Sequence, residues 1–138
     1  LGTILRAGEA AGITGVIMDS QTADIYNPKV IRSTMGAVFR VPFVYVEDLK
    51  AALLQLKDHG VHLYAAHLKG QNPYDQEDYT ESTGFLIGNE AQGLSDEIAS
   101  LADTYVKIPM AGSVESLNAA IASSVLMFEV ARQRRNQK

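Results

Sequence analysis

The chain has no cysteine. That excludes disulfides, thiolate nucleophiles and zinc–thiolate centres together, and it fits a cytoplasmic protein. Four prolines and 20% charged residues leave little composition for a disordered tail or a linker. No apolar run reaches the ~18 residues of a spanning helix, and no charged segment followed by an apolar one opens the chain as a secretion signal would. A basic surplus is missing too. The formal net charge is -4, so the surface is not basic overall, and any contact with nucleic acid is local or supplied by another domain. Neither a P-loop, nor G-x-G-x-x-G, nor a G-x-S-x-G elbow occurs, which weakens an ordinary dinucleotide fold and a hydrolase serine at Ser113 or Ser116. What is present suits one compact domain: 138 residues, 46% of them hydrophobic, enough to bury a real core.

Along the chain, helix and strand signals alternate. "LGTILRAGEAAG" reads as a helix ending at Gly12, with no initiator methionine and no capping side chain before it, as in a fragment cut inside a loop-to-helix junction. "TGVIMDS", Thr14 to Ser20, reads as a buried strand. "NPKVIRSTMGAVF" offers Asn27 as N-cap and Pro28 at the first helical position. "VPFVYV" is strand-like, and "EDLKAALLQLKDHG" sets Leu49, Leu53 and Leu56 at helical spacing before Gly60. "VHLYAA" is a strand, residues 68–82 a polar loop, "GFLIG" a strand, "SDEIASLA" a short helix capped by Ser95, and "TYVKIP" a strand stopped at Pro109. The last segment carries Leu117, Ile121, Val125 and Phe128 on one stripe of a long helix that serves either a core or a second copy. Short continuous apolar strands between helices predict an α/β fold, a mostly parallel sheet with helices on both faces. Ligands then sit beyond the carboxyl ends of the strands, in the loops after Ala66, Gly88 and Ile108.

Several side chains have an ordinary reading beside a functional one. Glu97 follows Ser95 in a first helical turn and suits the helix dipole. Glu90 is five residues too early for that, which leaves a solvated loop glutamate or a carboxylate that handles a ligand. Ser116 reads as the cap of the last helix, with Asn118 awkward in its first turn; free N–H groups there also suit an anionic or polar ligand. His62 and His67 are an odd number apart in an extended segment and face opposite sides, so a shared metal is not expected. The acids Asp75, Glu77, Asp78 and Glu81 lack the spacing of a calcium loop and read as solvated. The basic end "ARQRRNQK" reads as a solvated helix end or as a contact to RNA phosphate.

Taken together, "LGTILRAGEAAG", "LIGNEAQGLSDE" and "VKIPMAGSVESLNAAIASSVLMFEVAR" resemble the three motifs of the SpoU/TrmH family of RNA 2′-O-ribose methyltransferases in the SPOUT superfamily, and the resemblance covers nearly the whole chain. It implies an α/β domain with a C-terminal trefoil knot, S-adenosylmethionine as cofactor, no metal, and a homodimer through the last helix. It also implies that residues 1–138 are the methyltransferase domain, without its first strand and any N-terminal RNA-binding domain. Matched residue by residue, Arg6 and Arg32 fall at RNA-binding positions, and Arg6, Glu90, Ser116 and Asn118 at catalytic ones. Leu86, Gly88, Asn89, Ile108, Met110 and Leu117 fall at cofactor-binding positions. The implied reaction is methyl transfer to a ribose 2′-hydroxyl, in rRNA rather than tRNA. A non-catalytic module that binds RNA or the cofactor is the alternative.

Overall fold

A computed structural model describes residues 1–137 apart from 21, 23, 68, 69, 71, 89–92 and 113–116. Helix α1 spans Gly2–Ala11 and ends where Gly12 turns left-handed at φ 87° and returns its N–H to the carbonyls of Gly8 and Glu9, a conformation glycine adopts without a Cβ penalty. Strand β1 is Val16–Met18. Helix α2, Pro28–Ser33, starts as its sequence predicts, with the Asn27 side chain accepting from the Lys29 N–H. It stops sooner than "NPKVIRSTMGAVF" suggests. Met35 (φ 52°) and Gly36 (φ 89°) are both left-handed and reverse the chain into a 3-10 turn at Ala37–Phe39.

Strand β2, Phe43–Tyr45, is followed by helix α3, Leu49–Asp58, capped by Asp48. Strands β3 (His62–Ala66), β4 (Asn72–Pro73) and β5 (Thr83–Leu86) come next. A one-turn helix α4, Asp96–Ala99, begins with the Ser95 hydroxyl accepting from the Ile98 N–H, and strand β6, Thr104–Lys107, leads to the long helix α5, Ala119–Arg135.

Among the described residues every strand pairing is parallel. The hydrogen-bonded ladders form two sheets, β1-β2 and β4-β6-β3-β5, where the sequence predicts one. A cleft lined by Ile17 of β1 and by Ile87 and Gly88 just after β5 lies between the ends of these two strands. Side-chain alternation along β3 serves both faces of the larger sheet. Leu63 and Ala65 pack with Leu53 of α3 and with Leu86; Tyr64 packs on the other side with Tyr79, Val106 and Leu126 of α5. A third cluster sets Leu5 of α1 against Met18, Ile25, Ala37 and Val41.

Two expectations about the second half need correction. Residues 68–82 are more than a solvated loop, for they contain β4, a 3-10 turn at Tyr74–Gln76 and the fully buried Tyr79. The Tyr79 hydroxyl donates to the Tyr74 carbonyl and its N–H donates to Gln133 Oε1. Gln133 in turn donates to the Glu77 carbonyl, and Arg134 to the carbonyls of Tyr79 and Glu81. The clasp is made by α5, more than fifty residues away, and the local excess of acids gives no sign of it. The second correction concerns the start of α5: Asn118, rather than Ser116, is the N-cap, its Oδ1 accepting from the Ile121 N–H at 2.9 Å.

The apolar stripe divides, for Leu117 precedes α5 and both it and Val125 are half-buried. Ile121 is 49% and Phe128 44% exposed, whereas Ser123, Leu126, Met127 and Glu129 face the interior. A Cβ added at Gly8 would stand 2.4 Å from Ile13 Cδ1 and 3.4 Å from Met127 Sδ. Glycine there lets α1 lie close along α5. No helix among the described residues is long and apolar enough to cross a membrane.

Candidate functional site

β5 and β6 run parallel on either side of β3, so their carboxyl ends emerge at the same edge of the sheet. Ligands in open parallel sheets collect at that edge. Leu86 is the last residue of β5, and its side chain is buried among Leu53, Leu63 and Ala65, which leaves its main chain for any ligand. Gly88 follows two residues later. A Cβ there would stand 2.3 Å from Gly93 C and Leu94 N, far inside the closest approach real atoms show. The loop leaving β5 therefore crosses its own base at Gly88, and Gly93 assists with φ 67°. Asn89 and Glu90 lie outside the described residues.

On the β6 side, Ile108 packs against the cluster that holds Val106 and Leu126, while Met110 is half-buried in the turn beyond it. Among the described residues, the N–H groups of Ile108, Met110, Ala111 and Gly112 make no backbone hydrogen bond. Ala111 and Gly112 are exposed, so water serves their N–H groups, whereas Ile108 and Met110 are half-buried and a polar ligand there would satisfy theirs. Leu117 is half-buried beside the cap Asn118; Ser116 and Ser113 lie outside the described residues. The structure thus brings Leu86, Gly88, Ile108 and Met110 to one sheet edge. Sequence reasoning missed Gly70 at the same edge: it is buried, and a Cβ there would meet Val106 C at 2.8 Å. Its signal was a glycine in the loop that follows the end of β3 at Ala66, read only as part of that loop.

A cleft of about 270 Å³ borders Gly88 on the side of β1, lined also by Ile17, Asp19, Thr22, Leu49 and Ser95. Of the cofactor candidates among the described residues only Gly88 lines it; Leu86, Ile108, Met110 and Leu117 do not. Asp19 and Thr22 close a short turn, Thr22 Oγ1 accepting from the Asp19 N–H. Nothing in their local pattern singled them out.

Arg6 is exposed on α1 and makes no ion pair among the described residues. Its place on the helix is informative. Gly2, one turn earlier, abuts Ser33 and Val30 of α2; Glu9, one turn later, binds Arg40 through two hydrogen bonds of 2.7 and 2.9 Å. Residues three and four apart share a helix face, so Arg6 sits on the flank of α1 that meets α2 and the 3-10 turn. The hydrogen bond from Arg40 holds the Glu9 carboxyl below its usual range, and Glu9 raises Arg40 further. Arg32 is exposed on α2.

The histidines have other occupations. His62 Nε2 lies 2.9 Å from Thr104 Oγ1, and His67 stacks on Tyr105 at 5.3 Å between ring centroids. Among the described residues no three His, Asp or Glu side chains gather as a metal would need. Tyr64 and Tyr79 are pushed above the usual phenol range, chiefly by burial, so both remain neutral donors.

The profile of the SpoU rRNA Methylase family matches residues 1–128. The chain belongs to this family. A Staphylococcus aureus protein named for the TrmH family of tRNA/rRNA methyltransferases is 36% identical over 134 residues, 97% of this chain and 54% of its own length. Among solved structures, the SpoU methyltransferase AviRb of Streptomyces viridochromogenes in complex with AdoMet superposes with a TM-score of 0.89 at 37% identity. That match covers 99% of this chain and 54% of AviRb. The AdoMet-bound rRNA methyltransferase of Sinorhizobium meliloti gives 0.88 at 36% identity, over 100% of this chain and 52% of that one. This SpoU-family chain therefore spans about half the length of the relatives it matches. Its parallel α/β architecture is theirs.

Proposed function

We propose that residues 1–138 are the methyltransferase domain of an enzyme that methylates a ribose 2′-hydroxyl of RNA, with S-adenosylmethionine as the methyl donor. The observation that carries this reading is the family match over residues 1–128, joined to the half-buried Ile108 and Met110 at the strand edge, whose N–H groups make no backbone hydrogen bond among the described residues. Those groups fit a cofactor with several polar acceptors, and the half-buried Ile108, Met110 and Leu117 beside them fit its apolar parts. When bound, S-adenosylmethionine supplies an electrophilic methyl on a sulfonium. Main-chain atoms at Leu86, Gly88, Ile108 and Leu117 would hold it, with Asn89 beside Gly88.

A ribose hydroxyl is a poor nucleophile and needs its proton polarised while it is held in line. Arg6 binds the hydroxyl and an adjacent phosphate. A guanidinium stays protonated at neutral pH and cannot serve as a free base, so a phosphate oxygen or water takes the proton. Glu90 walls the ribose side, and Ser116 and Asn118 orient Arg6 and the substrate. Arg32 contacts RNA phosphate. The trefoil knot belongs to the same reading.

The exposed Ile121 and Phe128, with the half-buried Val125 between them on α5, form the homodimer contact, because apolar side chains like these are costly to leave in water. The RNA is rRNA rather than tRNA, as the name of the matched family suggests. The test is transfer of radiolabelled methyl from S-adenosylmethionine to rRNA and tRNA by the purified protein. Incorporation into rRNA that is lost in Arg6→Ala, with cofactor affinity kept, is the expected result. Cofactor binding without incorporation into either RNA would leave only a binding module.

A further inference from the structure

In a chain of net charge -4, residues 25–46 hold no aspartate or glutamate, while Lys29, Arg32 and Arg40 are all among them. Among the described residues, the large apolar side chains most exposed to solvent lie in the same stretch. Phe39 is 84% exposed, Met35 66% and Tyr26 65%. Such exposure is costly, and here it is held in place. Ala37 and Val41, on either side of Phe39, are buried, and the Phe39 and Val41 N–H groups bond to the carbonyls of Gly36 and Ala37 at 3.1 and 2.9 Å. Beneath them the Ala37 N–H donates to Thr34, itself fully buried. The bidentate Arg40–Glu9 pair ties the turn to α1. Phe39 is therefore an aromatic ring fixed on a rigid support and aimed at solvent.

Its surroundings say what kind of partner fits. Arg40 is neutralised by Glu9, but Lys29 and Arg32 make no ion pair among the described residues. Arg6 lies on the flank of α1 that meets this segment, between Gly2 and Glu9. A protein-docking patch is depleted in charge at its centre. An exposed aromatic face in a segment that carries the unpaired Lys29 and Arg32 and no acid of its own, its Arg40 already paired with Glu9, matches single-stranded nucleic acid, whose bases stack and whose phosphates seek cations.

We propose that residues 28–40 are a stacking platform for an unpaired base of the RNA substrate, with Phe39 as the aromatic face and Lys29 and Arg32 at the flanking phosphates. The inference rests on the methyltransferase reading above and extends it: the substrate is single-stranded beside the methylated nucleotide, and its flank is held next to Arg6.

The test is fluorescence anisotropy of a labelled single-stranded RNA of about twelve nucleotides. It compares the protein with its Phe39→Ala, Phe39→Trp and Arg32→Ala variants, alongside S-adenosylmethionine calorimetry and sedimentation. Phe39→Ala is expected to weaken RNA binding about tenfold, the scale of one lost base–aromatic stack, without changing the salt slope, and Phe39→Trp to restore it. Arg32→Ala is expected to lower the slope of log affinity against log salt by ~0.7, one phosphate contact on a single strand. Cofactor affinity is unchanged in all three. RNA affinity in Phe39→Ala within about twofold of the parent, against a parent that binds RNA well, overturns the platform alone. Loss of RNA affinity only in step with subunit dissociation makes the patch a protein contact and also overturns it. A parent that binds S-adenosylmethionine but no RNA defeats the RNA reading itself, and the platform with it.

Discussion

Replacing Gly88 by alanine probes the pinch at the base of the loop that leaves β5. The added methyl would stand 2.3 Å from two backbone atoms, Gly93 C and Leu94 N, and 2.7 Å from Gly93 Cα. Carbon atoms rest near 3.5–4.0 Å, so the two strands of the loop must separate by roughly an ångström, and neither partner is a flexible side chain. Overpacking of this kind costs about 1–3 kcal/mol, and a displacement of that size at a binding loop is enough to cost ~10²-fold in function. The control is Gly15→Ala, where the nearest atom is Pro42 O at 3.5 Å, an ordinary contact. That change is expected to be neutral or to stabilise by up to ~1 kcal/mol through the unfolded chain. Urea unfolding and S-adenosylmethionine calorimetry on both variants read the difference. Gly88→Ala matching Gly15→Ala in both assays would refute the claim that this glycine is needed for close approach.

Asn118→Ala removes the cap of a seventeen-residue helix and is expected to lower stability by ~1 kcal/mol in thermal or urea melts. Asn118→Asp keeps an acceptor for Ile121 N–H, so activity lost in a stable Asp variant would separate a site role from the cap. Asp103 accepts from the Leu63 N–H at 2.8 Å and pairs with Lys57 at 3.3 Å. Burial pushes its carboxyl up, but these partners outweigh burial and leave it below the usual range. A carboxyl depressed in the folded state contributes stability above its unfolded value near pH 3.9, lost as pH falls through the folded value. Asp103→Asn is therefore expected to destabilise by roughly 1 kcal/mol at pH 7 and to flatten the acid limb of stability against pH; an unchanged limb would count against the assignment. Phe128→Glu is expected to shift sedimentation from dimer to monomer at micromolar concentration without loss of helix by circular dichroism.

Elements with local punctuation were legible in the sequence. Gly12, Asn27–Pro28 and Ser95 each end or start a helix through a bond to the neighbouring backbone, and such bonds depend on a few adjacent residues. The break in "NPKVIRSTMGAVF" was marked only by Gly36; that Met35 would join it at positive φ had no signal, since non-glycine residues seldom do so. Tyr79 was hidden because its partners Gln133 and Arg134 lie on a distant helix. The stripe Leu117, Ile121, Val125 and Phe128 was visible, but periodicity reports that a face is apolar and says nothing of whether it turns in or out. α5 buries instead a face with Ser123 and Glu129 on it. At the candidate site, the motifs singled out Gly88, while the reason for it, the crossing of Gly93 and Leu94, exists only in three dimensions.

The central claim is tested most directly by locating the methyl group. RNA labelled by the protein with radioactive methyl from S-adenosylmethionine is hydrolysed in alkali, a cleavage that requires a free 2′-hydroxyl. Methylation of the ribose puts the label in alkali-resistant dinucleotides, with none in Arg6→Ala reactions. Label released as mononucleotides, with the methyl on a base, would contradict it.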